Sequence, residues 1–97
     1  MDTLPPVHPG EILHADFMQP LGLSSNALAR AIGVTPARVN EIVRGRRGIS
    51  ADTALRLARY FGTSVDVWMN LQHHYDIECA REALGDTLQS IKPLLAA

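Results

Sequence analysis

Residues Ser24–Arg44 read SSNALARAIGVTPARVNEIVR, and the order of residue types in this stretch decides the fold. Ser24 is a favoured N-cap, because its hydroxyl oxygen accepts one of the orphan N–H groups in a helix's first turn. Leu28, Ala29 and Ile32 then recur at helical spacing, and Gly33 can take the left-handed conformation that ends a helix. Thr35 followed by Pro36 starts a second helix: the threonine oxygen caps it and the fixed φ of proline suits the first helical position. Val39, Ile42 and Val43 supply its buried stripe, and Gly45 its stop. Two short helices joined by a tight glycine turn result. Ala29 is small where they cross, while Val34, Val39 and Ile42 lock the second helix at a steep angle against a core.

That spacing is the spacing of a helix-turn-helix, over about residues 24–44. An isolated helix of two turns is unstable in water, so the rest of the chain must hold it. Pro36, Ala37, Arg38, Asn40, Glu41 and Arg44 remain on the outward side of the second helix, as a reader of the DNA major groove requires. Asn40 suits an adenine edge, Glu41 a cytosine amino group and Ala37 a thymine methyl, while Arg38 and Arg44 suit either guanine or phosphate. Each of these side chains is also common as plain solvated surface. The run Arg44-Gly45-Arg46-Arg47-Gly48 leaves the helix with three cations on a flexible loop, which fits phosphate anchoring without sequence reading. Ser24, Ser25 and Asn26 open the first helix, where backbone N–H groups favour a phosphate; capping alone accounts for serines there as well.

Punctuation on either side predicts three more helices. Upstream, Pro9 suits a first-turn position and Glu11 the positive helix end, and Ile12, Leu13 and Phe17 form an apolar face before Pro20 and Gly22. Downstream, Ser50 caps a helix carrying Ala54, Leu57, Ala58 and Phe61 at i, i+3, i+4 and i+7, closed by Gly62. A fifth helix starts at Ser64, carries Trp68, Leu71 and Tyr75 in register, and runs to about Leu84 before Gly85. Residues 86–97 hold Leu88, Ile91, Leu94 and Leu95 around Pro93, as a docked segment or a frayed tail would. The reading is an all-α, five-helix domain over residues 1–85 with a C-terminal tail.

Length and composition agree. A chain of 97 residues, 46% apolar and 20% charged, is one modest globular domain, and its five aromatics leave the core to aliphatic residues, which suits helix packing. Cys79 is alone, so there is no internal disulfide, and no apolar run approaches the roughly 18–20 residues that cross a bilayer. The opening MDTLPPVHPG has neither part of a secretory signal, so a cytoplasmic, non-membrane protein is expected. Net charge is −1, but it is unevenly placed. Between Ser24 and Gly62 seven arginines face only Glu41 and Asp52, whereas the flanks carry Arg81 and Lys92 against eight carboxylates. A basic centre with acidic flanks is compatible with nucleic acid in a way that the total is not.

Further motifs surround the helix pair: His8-Pro9-Gly10-Glu11-Ile12-Leu13, Leu21-Gly22-Leu23-Ser24, Asn40-Glu41-Ile42, Gly45-Arg46-Arg47, Asp52-Thr53-Ala54-Leu55-Arg56-Leu57-Ala58, Phe61-Gly62-Thr63-Ser64 and Trp68-Met69-Asn70-Leu71-Gln72. Together, over about residues 5–84, they resemble the HigA family of antitoxins, part of the phage-repressor-like (XRE) helix-turn-helix group. The resemblance implies a five-helix domain that dimerises through its C-terminal part, represses its own operon and neutralises a HigB toxin, a RelE-like ribonuclease that cuts mRNA. By position it implies base-facing places for Thr35, Pro36, Ala37, Asn40 and Glu41, and backbone-contacting places for Ser25, Arg38, Arg44, Arg46 and Arg47. Met69 stands where leucine is commoner, a volume-conserving change.

One recognition helix reads about one half-site, so a homodimer on double-stranded operator DNA is expected. Tyr75, Ile77, Leu84 and Leu88 are its candidate interface, whereas Trp68 and Leu71 suit the core. His73, His74 and Cys79 lack a fourth ligand with suitable spacing, so no metal or other cofactor is expected. No nucleophile triad, phosphate-cradling glycine loop or catalytic carboxylate pair stands out, so the chain does not read as an enzyme. Two alternatives to an antitoxin with a HigB-like partner are a stand-alone XRE-type transcriptional regulator and an interaction module that has lost its DNA contacts. Arg44, Arg46 and Arg47 argue against the last.

Overall fold

The computed structural model describes residues 5–95, and all regular structure within them is helical. Helix α1 spans Pro9–Ile12 and continues without a break as a π-helical stretch, Leu13–Met18. Then follow α2 (Ser25–Ile32), α3 (Pro36–Val43), α4 (Ala51–Phe61), α5 (Val65–Leu84) and the short α6 (Asp86–Ser90). The five expected helices are present. Within the expected tail, α6 is a further turn exposed along its whole length, and the last two residues of that tail, like the first four of the expected domain, lie outside the described residues.

Local chemistry sets most of the boundaries. Ser24 accepts from the Ala27 N–H at 3.0 Å, Thr35 from Arg38 at 3.2 Å, Ser50 from Thr53 at 3.3 Å and Ser64 from Val67 at 3.3 Å. Each capping oxygen replaces the water that an orphan N–H would otherwise hold. Gly33, which ends α2, has φ of 74°, a left-handed value that a side chain disfavours. The π-helical stretch is the departure from expectation. Leu13 and Met18 are five residues apart, which in an α-helix would set them about 140° apart around the axis; both are buried. Widening the turn, with the Gln19 N–H donating to the His14 carbonyl at 2.9 Å, brings both onto the core side.

The core joins every helix up to the first half of α5. Leu13, Met18, Leu28, Val39, Ile42, Ile49, Leu57 and Trp68 are almost fully buried. Phe17 sits between Trp68 and Phe61 with ring centroids 4.8 and 5.1 Å away. The Trp68 indole N–H is satisfied by the Thr63 hydroxyl at 2.9 Å, so burying that large ring leaves no polar atom unpaired. Leu71, expected in the core, packs at its margin. From Ala80 onward every described residue is exposed, and α5 projects from the body of a molecule measuring 52 × 27 × 21 Å. Among the described residues no helix is long and apolar enough to cross a membrane.

Candidate nucleic-acid interface

α2 and α3 pack on one another across the Gly33 turn, and α1 and α4 brace them from behind. Bracing matters because α3 has only about two turns of its own. Buried Val39 and Ile42 face the core, which leaves Thr35, Pro36, Ala37 and Asn40 exposed at the leading end of α3. Ser24 and Ser25 stand at the opening of α2, and the hydroxyl of Ser24 is engaged as a cap. Arg44, Arg46 and Arg47 are exposed where the chain leaves α3.

Three of the expected contact residues, Arg38, Glu41 and Arg47, are held in ion pairs within the chain. Glu41 is half-buried; its carboxylate accepts from Arg47 at 3.2 Å, and its carbonyl accepts the Arg46 and Arg47 N–H groups at 2.8 and 3.2 Å. It therefore shapes the arginine loop as well as standing beside Asn40. Arg38 is likewise half-buried, its guanidinium 3.4 Å from Asp52 on α4. Arg44 and Arg46 have no ion pair among the described residues and are free to meet an anion.

Several supporting residues escaped the reading of the sequence. Asp52 accepts from Arg56 at 2.7 Å as well as from Arg38, and the hydrogen bond from Arg56 is the main reason its carboxyl is held below the usual carboxylate range. Arg56 also donates to the carbonyls of Ile32 and Gly33 at 2.8 and 3.2 Å, closing the end of α2. Gln72 accepts the buried Ile49 N–H at 2.7 Å and so fixes the loop that carries the arginines. An acid four residues before a base, as in Asp52 and Arg56, is a readable helix signal, but the link from Arg56 to a turn 23 residues back is not. The candidate dimer residues lie apart from this face: Ile77, Leu84 and Leu88 are exposed on α5 and α6, while Tyr75 turns its ring onto His8, 4.8 Å away.

A braced helix pair presenting one polar leading end and a basic loop defines a helix-turn-helix protein. The family model described as helix-turn-helix matches residues 15–68. Antitoxin HigA-1 of Vibrio cholerae is 34% identical over 92 residues, 95% of this chain and 87% of that protein. Virulence-associated protein I of Dichelobacter nodosus is 54% identical over 81 residues, 84% of this chain and 75% of that one. The Pseudomonas aeruginosa antitoxin HigA, solved with the higBA promoter, superposes with a TM-score of 0.89 at 52% identity, covering 93% of this chain and 99% of that chain. The chain belongs to the helix-turn-helix family and, within it, to the HigA antitoxins.

Proposed function

We propose that this chain is the antitoxin of a type II toxin–antitoxin module, which represses its own operon as a DNA-bound homodimer and neutralises a HigB-like, mRNA-cleaving toxin. The observation that carries the reading is the superposition, along nearly the whole chain, on an antitoxin solved with its promoter. Thr35, Pro36, Ala37, Asn40 and Glu41 are assigned to the base edges, and Ser24, Ser25, Arg38, Arg44, Arg46 and Arg47 to phosphates. Pro36 and Ala37 bring only apolar contact, so hydrogen-bonded discrimination falls mainly on Asn40 and Glu41. Both activities are binding events, so no catalytic chemistry is assigned, and DNA as the target places the work in the cytoplasm.

The test is binding of the purified chain to DNA from upstream of its own reading frame, at two salt concentrations, with capture of a tagged copy from its native cell. Recovery of a small basic protein together with salt-sensitive, palindrome-specific binding supports the reading. DNA binding without such a partner leaves a solitary XRE-type regulator. Asn40→Ala is expected to change preference at one base position by about 1–3 kcal/mol. Arg46→Ala is expected to weaken binding to all sequences and flatten the salt dependence by roughly 0.9 in log–log slope. Identical behaviour of the two variants would remove Asn40 from the base-reading role.

A further inference from the structure

Arg38 faces two claimants, a DNA phosphate and Asp52. The Asp52 carboxylate stands in the first turn of α4, and one of its oxygens, Oδ1, takes both arginines: Arg56 Nε at 2.7 Å and Arg38 Nη1 at 3.4 Å. The two contacts differ in kind. The Arg56 contact is a short, charge-assisted bond within one helix, and its guanidinium is further fixed by the Ile32 and Gly33 carbonyls. The Arg38 contact is at the outer limit of a hydrogen bond, with side chains 28% and 56% exposed, and such pairs hold weakly. Arg56 anchors Asp52 to the turn, and Asp52 holds Arg38 on a loose tether.

We infer that Asp52 is a specificity-determining positioning residue, which withholds Arg38 from non-specific DNA and yields it to a phosphate only when the base contacts of α3 fix the register. The inference rests on the DNA-binding reading above. On an arbitrary duplex the phosphates meet α3 in no fixed register, so Arg38 stays with Asp52 and releases no counterion. On the matched site Asn40 sets the register, one phosphate is held close, and the weak tether yields. Asp52 therefore lowers affinity for wrong DNA more than for right DNA, as a repulsive element in a recognition surface does.

The test compares wild type, Asp52→Asn, Arg38→Gln and the double variant. Each is titrated onto its own upstream duplex and onto a scrambled duplex of equal length, by fluorescence anisotropy across a series of KCl concentrations, with thermal unfolding alongside. Asp52→Asn is expected to tighten binding to the scrambled duplex a few-fold and to steepen its log–log salt slope by about 0.9, so that the ratio of upstream to scrambled affinity falls. In the Arg38→Gln background the same change is expected to leave the slope where it was. Equal steepening in both backgrounds would overturn the inference, because Asp52 would then act as a bare charge. So would a lowered Tm with an unaltered slope, the signature of a charge that only supports α4. Asp52→Ser, with a hydroxyl suited to a helix's first turn, is read in the same way if the asparagine variant does not fold. Wild type failing on both duplexes would overturn the DNA-binding reading along with this one; binding with an unaltered slope overturns this one alone.

Discussion

His8 sits where three elements meet. Its Nδ1 accepts the Gly10 N–H at 2.9 Å, its ring meets the Tyr75 ring edge-on, and Gly45 of the arginine loop lies against it. Burial pushes its pKa below the ordinary 6.5, opposed by the charges of Glu11 and Asp76 and by a backbone hydrogen bond with Arg47. As pH falls through about 6.5 the unfolded chain takes up the proton before the folded one, so stability declines until the lowered folded value is passed. Above that window the neutral ring contributes its full share. Urea unfolding across this range is expected to show the decline, and His8→Asn, which keeps a capping atom, to flatten it. Gly10 makes a different demand: a Cβ there would land on the Ile42 carbonyl of α3, 2.7 Å from its carbon. Because backbone rather than a flexible side chain is in the way, Gly10→Ala is expected to cost about 1–3 kcal/mol or more in urea unfolding. Apart from the local cap that His8 gives Gly10, neither residue declares its role in the sequence, since the Tyr75, Gly45 and Ile42 contacts lie more than thirty positions away.

At the scale of elements, caps and stops were legible because their chemistry is local: an oxygen three residues from the N–H it serves, a glycine where the chain turns left-handed. The loop after α3 was legible only as three arginines. Besides Glu41, what holds it is Gln72 on α5, whose Oε1 accepts from Ile49 while its Nε2 donates to Asp76 at 2.9 Å. Gln72→Leu would strand a buried N–H, and is expected to destabilise the protein by about 1–3 kcal/mol. Hydrogen exchange at the Ile49 amide is expected to accelerate in that variant, and affinity for all DNA to fall together, because the loop we propose to anchor phosphates loosens while α3 does not. Loss of discrimination at one base would place the fault in α3 instead. The π-helical stretch escaped the sequence for a plain reason: apolar residues five apart fit no α-helical stripe.

Across the whole molecule, a basic helix-turn-helix body carries a long arm, the second half of α5 with α6. On that arm Ile77 is 53% exposed, Leu84 42% and Leu88 43%, so removing their apolar surface costs one protomer little. With Tyr75 they are the interface we propose for the homodimer, and Ile77→Glu with Leu84→Glu is expected to give a monomer by analytical ultracentrifugation, with weakened operator binding. An unchanged sedimentation coefficient would move the interface elsewhere. Trp68 shows the contrast, since its ring is core and its loss would unfold the chain rather than dissociate it. The sequence by itself determined the order of the five main helices, their serine and threonine caps, much of the aliphatic core and the exposed leading end of α3, because near-neighbour hydrogen bonds and helical periodicity are written in consecutive residues. Only the tertiary structure decided that Glu41 shapes its own loop through Arg47, that Tyr75 is half spent on His8, and that Arg38, Asp52, Arg56 and the Gly33 turn form one chain of contacts. Those links join residues distant in sequence through side chains whose reach is set by how the helices pack, and no periodicity records a packing angle.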